Sequence, residues 1–428
     1  ALVPDLILVI ETIPAYHHNT DLPGPFGNRV TELKRDISAT LLVFYGLGTI
    51  LGAGIYVLTG VVAEKAGLFT PLAFVLAALV ASPTAFAYAE LSTRFPRSAG
   101  EAVYVDEAFG LKVVTGSIGL MVAFVGIVSA ATIARGFLGY FNVFIELPPP
   151  LVIAAVVLGL GALAAYGILQ SVVFATIITL IEIVGLLIVV GTGIDDIDSG
   201  IVKQTLTLPA ANLASWTGVF AGAFLAFYAF IGFEDIVNVA EETRNTNKAL
   251  PIAILGSLGI AAILYFLVTM VAVASMPMEL LAGHEAPMAL MIEQNSQLSP
   301  LVLVLISMLA VINGALIQMI MAARVVFGMA SLQVVPNYFN HVDPRTRTPL
   351  RATILVVTIV LTLAVSFDVE TLAGLTSTLT LVIFAAINLA LLVLKHRGEP
   401  TTGPVYPVMV PIAGLLTSLT LLASSLFL

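Results

Sequence analysis

Residues 44–56 read FYGLGTILGAGIY, with glycines at positions 46, 48, 52 and 54. This stretch lies inside an apolar run long enough to cross a bilayer as a helix. Each glycine lowers helix propensity by about 1 kcal/mol relative to alanine. In a bilayer every backbone N–H and C=O group needs an internal partner, so a helix interrupted there must line a cavity or bind something. The stretch therefore predicts a membrane helix that is broken near its middle.

Apolar residues dominate the rest of the chain as well. Of its 428 residues, 59% are hydrophobic and 10% are charged, against roughly 25% charged in an ordinary soluble domain. These values exclude a soluble fold and predict an all-α polytopic membrane protein. The absence of cysteine excludes disulfides, zinc–thiolate sites and iron–sulfur clusters. Without a basic tract or a P-loop motif, neither nucleic-acid binding nor P-loop ATP hydrolysis has support, and we expect no cofactor.

Apolar runs bounded by charged residues, proline and glycine predict about eleven spanning helices. They are expected at 39–62, 70–92, 113–141, 151–168, 171–194, 216–240, 251–275, 299–327, 350–367, 371–394 and 405–427. Residues 1–37 contain no run long enough to span and are predicted to form a tail outside the bilayer. Because residues 421–428 are still apolar, we expect that a twelfth helix is missing from the chain.

The distribution of lysine and arginine predicts the orientation, because short loops rich in these residues stay cytoplasmic. Most of the 17 lie in the tail or in loops that follow even-numbered helices. These are Arg29, Lys34, Arg35, Arg94, Arg97, Lys112, Arg244, Lys248, Arg345, Arg347, Arg351, Lys395 and Arg397. Only Lys65 and Lys203 lie in loops on the other side. The sequence therefore predicts a cytoplasmic N-terminus. We expect the protein to lie in the plasma membrane.

A second interruption is predicted in the sixth helix, where residues 227–235 read FYAFIGFED. One glycine precedes two carboxylates, Glu234 and Asp235, at a depth where charge is costly. The two predicted breaks lie five spans apart. If helices one to five and six to ten are inverted repeats, the breaks occupy corresponding places near the midplane, where secondary transporters bind substrate. The expected organisation is residues 38–194, residues 195–395 and a final helix in 396–428.

The two breaks offer complementary polar groups. Free N–H groups around Gly52, Ala53 and Gly54 suit a carboxylate, with help from the dipole of the following half-helix. Free carbonyls around Ala229, Phe230 and Ile231 suit an ammonium group, so the pair fits an α-amino acid zwitterion. The full predicted substrate site is Thr49, Ile50, Gly52, Ala53, Gly54, Tyr228, Ala229, Phe230, Ile231, Gly232, Phe233 and Glu234.

Each break also has an alternative interpretation that involves no ligand. Gly48 and Gly52 form a G-x-x-x-G pair, and such pairs commonly let two membrane helices pack closely. Glu234 and Asp235 could lie in water at the end of the sixth helix. The presence of glycines at both breaks favours a binding site.

Four ordered motifs resemble the amino acid-polyamine-organocation superfamily of permeases. They are the glycine pattern at 46–60, the loop at 89–104, the FxAFxGF[ED] segment with its following NxxxxLP at 227–251, and the loop at 324–349. The resemblance covers about residues 33–428. It implies a LeuT-like fold of five plus five inverted repeats, uptake or exchange of amino acids, and a proton or sodium gradient as the driving force. It also implies that the substrate carboxylate contacts residues 52–54 and the amino group contacts carbonyls near 228–231.

The fifth helix contains a carboxylate, Glu182, within an apolar run from residue 172 to 190. The resemblance implies lysine near this position in proton-coupled relatives, so this departure leaves the coupling ion open. A carboxyl group without a partner at such a depth favours its neutral form and can carry a proton. We therefore predict that Glu182 couples protonation to transport. The alternative is a structural hydrogen bond or a salt bridge to Arg135.

Sodium is the other candidate coupling ion, and it needs a cage of oxygen ligands. The eighth helix offers Ser307 and Asn313. Asn313 is an amide where the resemblance implies serine or threonine in sodium-binding relatives. Most polar side chains inside membrane bundles simply bridge helices, and this is the alternative interpretation of Asn313.

The sequence thus favours a secondary active transporter of amino acids that is coupled to protons. An exchanger of polyamines or cationic amino acids with the same fold is an alternative. A membrane-embedded enzyme would need convergent groups such as two histidines, which these helices lack. A passive channel is a further alternative, although channels tend to be symmetric assemblies. The expected partners are a small amino acid or amine, a coupling ion and membrane lipids, without nucleic acid.

Overall fold

The fold is seen in a computed structural model, which describes most of the chain after residue 36. The described residues are 37–52, 54–97, 100–166, 172–197, 200, 203, 205, 209, 213–284, 286–295, 300–331, 333–343, 346, 348–398, 401 and 403–425. The predicted N-terminal tail up to residue 36 and the predicted site residue Ala53 lie outside them.

The described part of the chain is helical, and its only β-pairing is an isolated bridge between Ile37 and Thr243. The helices are α1 Ala39–Leu51, α2 Gly54–Ala66, α3 Thr70–Arg94, α4 Gly100–Phe109, α5 Lys112–Phe141, α6 Pro149–Tyr166, α7 Val172–Gly193, α8 Leu213–Phe227, α9 Thr246–Ser275, α10 Met278–Leu281, α11 Pro287–Asn295, α12 Pro300–Ser331, α13 Leu350–Ser366, α14 Val369–His396 and α15 Met409–Ser425. Two 3₁₀ segments, Tyr228–Phe230 and Glu234–Glu242, follow α8.

Seven helical stretches of the described chain are long and apolar enough to cross a membrane. The first, Ala39–Arg94, includes α1, α2 and α3, and three shorter apolar helices, α6, α13 and α15, add to the set. Their number and composition agree with the predicted all-α polytopic membrane protein.

The structure divides both helices in which the sequence predicts a break. The predicted span at 39–62 forms α1 and α2, and the predicted span at 216–240 forms α8 followed by 3₁₀ turns. Three short helices, α4, α10 and α11, occupy segments that were predicted as loops, because a search for spans of about 20 apolar residues does not detect helices of this length.

Long helices pack in a pattern that surrounds the two breaks. Helix α5 packs against α12, α3 packs against α9, and α6 packs against α13. Helix α1 packs against α7 and α9, while α2 packs against α8. The breaks therefore lie next to each other inside the bundle, with α5 and α12 alongside.

A buried ion cluster joins α3 to α14 and to the segment before α15. Glu90 is fully buried, and its Oε1 accepts from Arg94 Nη2 at 2.5 Å and from Lys395 Nζ at 2.7 Å. Its Oε2 accepts from the backbone N–H of Tyr406 at 3.0 Å. The Glu90 carboxylate is thus compensated by two bases, as a buried charge requires.

We predict that Glu90→Gln destabilises the folded protein strongly. The amide keeps the shape of the side chain but leaves two buried bases without their anion, which costs about 3–5 kcal/mol. The thermal unfolding midpoint in detergent should fall clearly. The control is Glu370→Gln, since Glu370 pairs with Lys65 at 2.8 Å where both side chains are partly exposed, and such pairs contribute at most about 1 kcal/mol. Equal midpoints for the two variants would contradict the assignment.

Candidate functional site

The first break separates α1 from α2, and its glycines pack closely against neighbouring segments. Helix α1 ends at Leu51 and α2 begins at Gly54. A Cβ atom on Gly54 would overlap Ala229, and one on Gly52 would lie 3.3 Å from the Cα atom of Gly314. The glycines here let the backbones of three segments approach each other closely.

The second break follows α8 and requires a glycine for a different reason. After the 3₁₀ turn Tyr228–Phe230, Ile231 is extended at φ −66° and ψ 137°. Gly232 then adopts φ 128°, a conformation that side chains with a Cβ rarely take. A Cβ atom on Gly232 would also lie 2.7 Å from the carbonyl carbon of Thr49. Only glycine fits at this position.

Side chains satisfy part of the backbone that the two breaks expose. The Thr49 hydroxyl lies within hydrogen-bond distance of the Gly232 carbonyl oxygen, at 2.9 Å. The Tyr265 hydroxyl donates to the carbonyl oxygen of Ile50 (2.8 Å) or to that of Ala229 (3.0 Å). The Gly232 N–H donates to Oε2 of Glu234 at 2.9 Å. These contacts hold the two interrupted segments against each other.

A cavity lies between the breaks, and the space of about 370 Å³ within its outline includes volume that is open to the surroundings. Six of the predicted site residues line it: Thr49, Ile50, Gly52, Gly54, Tyr228 and Ile231. The other lining residues are Ser129 and Ile133 from α5, and Gly314, Ile317 and Gln318 from α12. The structure therefore brings both predicted segments to one cavity.

Five further predicted residues lie outside this lining. Ala229 contacts Gly54, and Gly232 contacts the Thr49 backbone. Phe230 packs against Phe74 and Tyr265, while Phe233 packs against Tyr88 and Phe384. Glu234 is buried and lines an adjoining cavity together with Asp235. The alternative that these two carboxylates lie in water at a helix end is therefore wrong.

Glu182 lies fully buried in α7, away from the cavity lining. Its backbone carbonyl accepts from the Tyr56 hydroxyl of α2 at 3.0 Å, and Tyr140 donates in turn to the Tyr56 carbonyl at 2.6 Å. Neither carboxyl oxygen has a hydrogen-bond partner within the described chain. Neither the structural hydrogen bond nor the salt bridge to Arg135 is therefore found there.

Asn313 is buried in α12, next to the lining residue Gly314. Its Nδ2 has no hydrogen-bond partner among the residues that the structure describes. Ser307, six residues earlier in the same helix, is also buried. No group of three His, Cys, Asp or Glu residues that could hold a metal ion is found in the described ranges.

Sequence reasoning missed the contributions of α5, α9 and α12 to this region. Gln318 carried a signal, since a buried amide in an apolar helix is uncommon and often functional. Ser129 and Gly314 carried none, because small residues are frequent in membrane helices. Tyr265 reads as one aromatic residue in an apolar span, and only its contacts identify it as the group that joins the two breaks.

A sequence model of the family described as "Amino acid permease" matches residues 37–428, which include both breaks and all the lining residues. The chain belongs to the amino acid permease family. The permease is accordingly a multi-pass membrane transporter and not an enzyme.

Curated relatives cover most of the permease. The branched-chain amino acid permease BcaP of Bacillus subtilis (strain 168) is 29% identical over 390 residues, which is 86% of this chain and 82% of the relative. The methylthioribose transporter of the same organism is 26% identical over 408 residues, which is 90% of this chain and 87% of the relative. The vacuolar cationic amino acid transporter 2 of Arabidopsis thaliana is 28% identical over 85% of this chain, and the chain spans 60% of that relative.

We predict that Gly54→Ala strongly reduces uptake by the permease. The added methyl group overlaps Ala229 at the contact between the breaks, and overpacking of this kind costs about 1–3 kcal/mol. Uptake into proteoliposomes should fall by roughly tenfold or more. The matched control is Gly159→Ala in α6, where an added Cβ meets no atom within 4 Å. Wild-type uptake by folded Gly54→Ala protein would show that this contact is not needed.

Proposed function

We propose that the permease is a secondary active transporter that moves an amino acid across the membrane by alternating access. The observation that supports this best is that the breaks after Leu51 and Phe227 meet at one cavity. Interrupted helices at the midplane are the usual site of substrate binding in secondary transporters. The names of relatives such as the branched-chain amino acid permease BcaP agree with this proposal.

The packing of helices supports a five-plus-five inverted repeat, with units at 38–194 and 195–395 and a final helix in 396–428. In such a repeat α1 and α2 correspond to α8 and its 3₁₀ turns, α3 to α9, α5 to α12, α6 to α13 and α7 to α14. Contacts then occur in matching pairs. Helix α1 packs on α9 as α8 packs on α3, and α5 packs on α14 as α12 packs on α7.

The substrate head group would lie between the breaks. The N-terminus of α2 at Gly54 offers backbone N–H groups and a positive dipole end for the carboxylate. Carbonyl oxygens of residues 228–231 are available to the ammonium group. Although Ala229 already accepts from Tyr265, a carbonyl oxygen has two lone pairs and can accept a second hydrogen bond.

Saturable counterflow of labelled amino acid tests this function. Proteoliposomes preloaded with unlabelled substrate should accumulate the labelled amino acid transiently, because a carrier exchanges substrate one for one. The screen should include neutral and cationic amino acids and polyamines, at two pH values and with or without sodium. Linear flux without counterflow would instead indicate the alternative, a passive channel.

Glu182 supports coupling to protons. It is buried without a partner for its carboxyl oxygens in the described chain, and such a group can carry a proton. Its helix is joined to α2 through the Tyr56 hydroxyl, so a change of charge at Glu182 would be felt at the break. Coupling to sodium through Asn313, which is buried in α12, is the alternative.

We predict that Glu182→Gln flattens the pH dependence of uptake. The amide is close in shape to the protonated acid but cannot release the proton. Uptake should be measured in proteoliposomes from pH 5 to pH 8, with Glu279→Gln, a variant of an exposed carboxylate, as the control. An unchanged pH profile in Glu182→Gln would assign the coupling to another group.

The distribution of lysine and arginine supports a cytoplasmic N-terminus, and the plasma membrane is the location that we propose. Some relatives are named as vacuolar or mitochondrial proteins. The location is therefore best measured with the tagged protein in fractionated membranes. Exchange of cationic amino acids or polyamines is the second candidate activity, because several relatives are named cationic amino acid transporters.

A further inference from the structure

A second cavity adjoins the one between the breaks, and the space of about 340 Å³ within its outline likewise includes open volume. The two share Ile231 and Gln318 in their linings. The second cavity is lined by three carboxylates, Glu101, Glu234 and Asp235, and by Thr380. Glu101 comes from the short helix α4, whereas the other two follow the second break.

The three carboxylates share two properties, burial and the lack of a base. Each is at least nine-tenths buried, and each accepts a hydrogen bond from a neutral donor. The donors are the Tyr88 hydroxyl for Glu101 (3.4 Å), the Gly232 N–H for Glu234 (2.9 Å) and Gln318 Nε2 for Asp235 (3.2 Å). Among the residues that the structure describes, no Lys, Arg or His belongs to the lining. Buried carboxylates are normally paired with a base or a metal.

Two further polar atoms at this cavity need partners. Gln318 Oε1 and Thr380 Oγ1 are buried, at 6% and 2% exposure of their residues, and neither has a hydrogen-bond partner in the described chain. The Gln318 oxygen is an acceptor only. Buried polar atoms without partners are uncommon and usually mark a ligand or water position. The wall thus combines three acidic side chains with unused acceptor capacity.

We propose that this cavity binds the positively charged end of the side chain of a transported amino acid. This inference rests on the proposed function, because the head group of the same molecule would lie between the breaks. Ammonium and guanidinium groups carry only donors, three and five respectively, and match a lining of acceptors. Gln318 belongs to both cavities and marks the path from head group to side chain.

An organic cation fits the lining better than a metal ion. No three acidic residues in the described ranges are grouped to hold a metal. Ammonium and guanidinium groups form charge-assisted hydrogen bonds with carboxylates, which are shorter and stronger than hydrogen bonds between neutral groups. The residues that both cavities share, Ile231 and Gln318, further favour a cation that is covalently attached to the substrate.

The test compares substrates that differ only in charge. Arginine and its neutral isostere citrulline are measured side by side in proteoliposomes, and the readout is the ratio of their initial uptake at low concentration. The wild-type permease should prefer arginine by roughly tenfold or more, the effect of one charge-assisted hydrogen bond. Lysine against norleucine gives an independent pair.

Two variants and one control locate the preference. Glu101→Gln and Asp235→Asn remove one negative charge each, and each should lower the arginine-to-citrulline ratio by roughly tenfold. Because the readout is a ratio, loss of folded protein does not change it. The control is Glu107→Gln, because Glu107 lies on the same helix as Glu101 but outside the cavity lining. The arginine-to-citrulline ratio of this variant should equal that of the wild type.

Three outcomes overturn the inference. One is equal uptake of arginine and citrulline by the wild type, and another is an unchanged ratio in both cavity variants. The third is stimulation of citrulline uptake by sodium or potassium that Glu101→Gln abolishes, because this would assign the cavity to a free inorganic cation. In all three, citrulline still enters by saturable counterflow, so the proposed transport function stands. Absence of counterflow for every amino acid would instead contradict that function.

Discussion

The need to satisfy backbone polar groups inside an apolar bundle constrains this permease more than any other interaction. An unbroken helix satisfies them by itself, whereas a broken one exposes them to a medium without water. Here Thr49 contacts the Gly232 carbonyl, Tyr265 contacts the Ile50 and Ala229 carbonyls, and the Glu234 carboxylate accepts from the Gly232 N–H. Thr49 of the first break thus contacts the second, and Tyr265 of α9 contacts carbonyl oxygens of both, so the two breaks are held together.

The buried carboxylates differ in their partners, and this difference separates structure from candidate function. Glu90 is compensated by Arg94 and Lys395 and joins helices permanently. Glu182 is buried without a partner for its carboxyl oxygens among the described residues. An uncompensated buried carboxylate costs free energy unless it binds a proton or another cation. The same reasoning applies to the acidic group in the second cavity, which makes both places suited to exchange of cations.

Much of the fold could be predicted because apolar length alone sets where a helix can span a bilayer. Predicted ends such as 113–141 and 350–367 lie within one residue of those of α5 and α13. The short helices α4, α10 and α11 were missed, since their length and composition resemble those of loops. The lining residues in and around α1 and α2, and those that follow α8, were predicted from glycine and charge. Phe230 and Phe233 were included by position, but they pack against other aromatic rings.

The sequence by itself determined the membrane environment, the positions of most helices along the chain and the two breaks at glycine, because these follow from local composition and backbone freedom. Only the tertiary structure decided which groups meet at the breaks. Tyr265 lies 215 residues from Ile50, and Thr49 lies 183 residues from Gly232. Glu101 likewise joins Glu234 and Asp235 from a distant helix. Such contacts depend on how helices pack across the bundle, and local patterns of hydrophobicity do not contain that information.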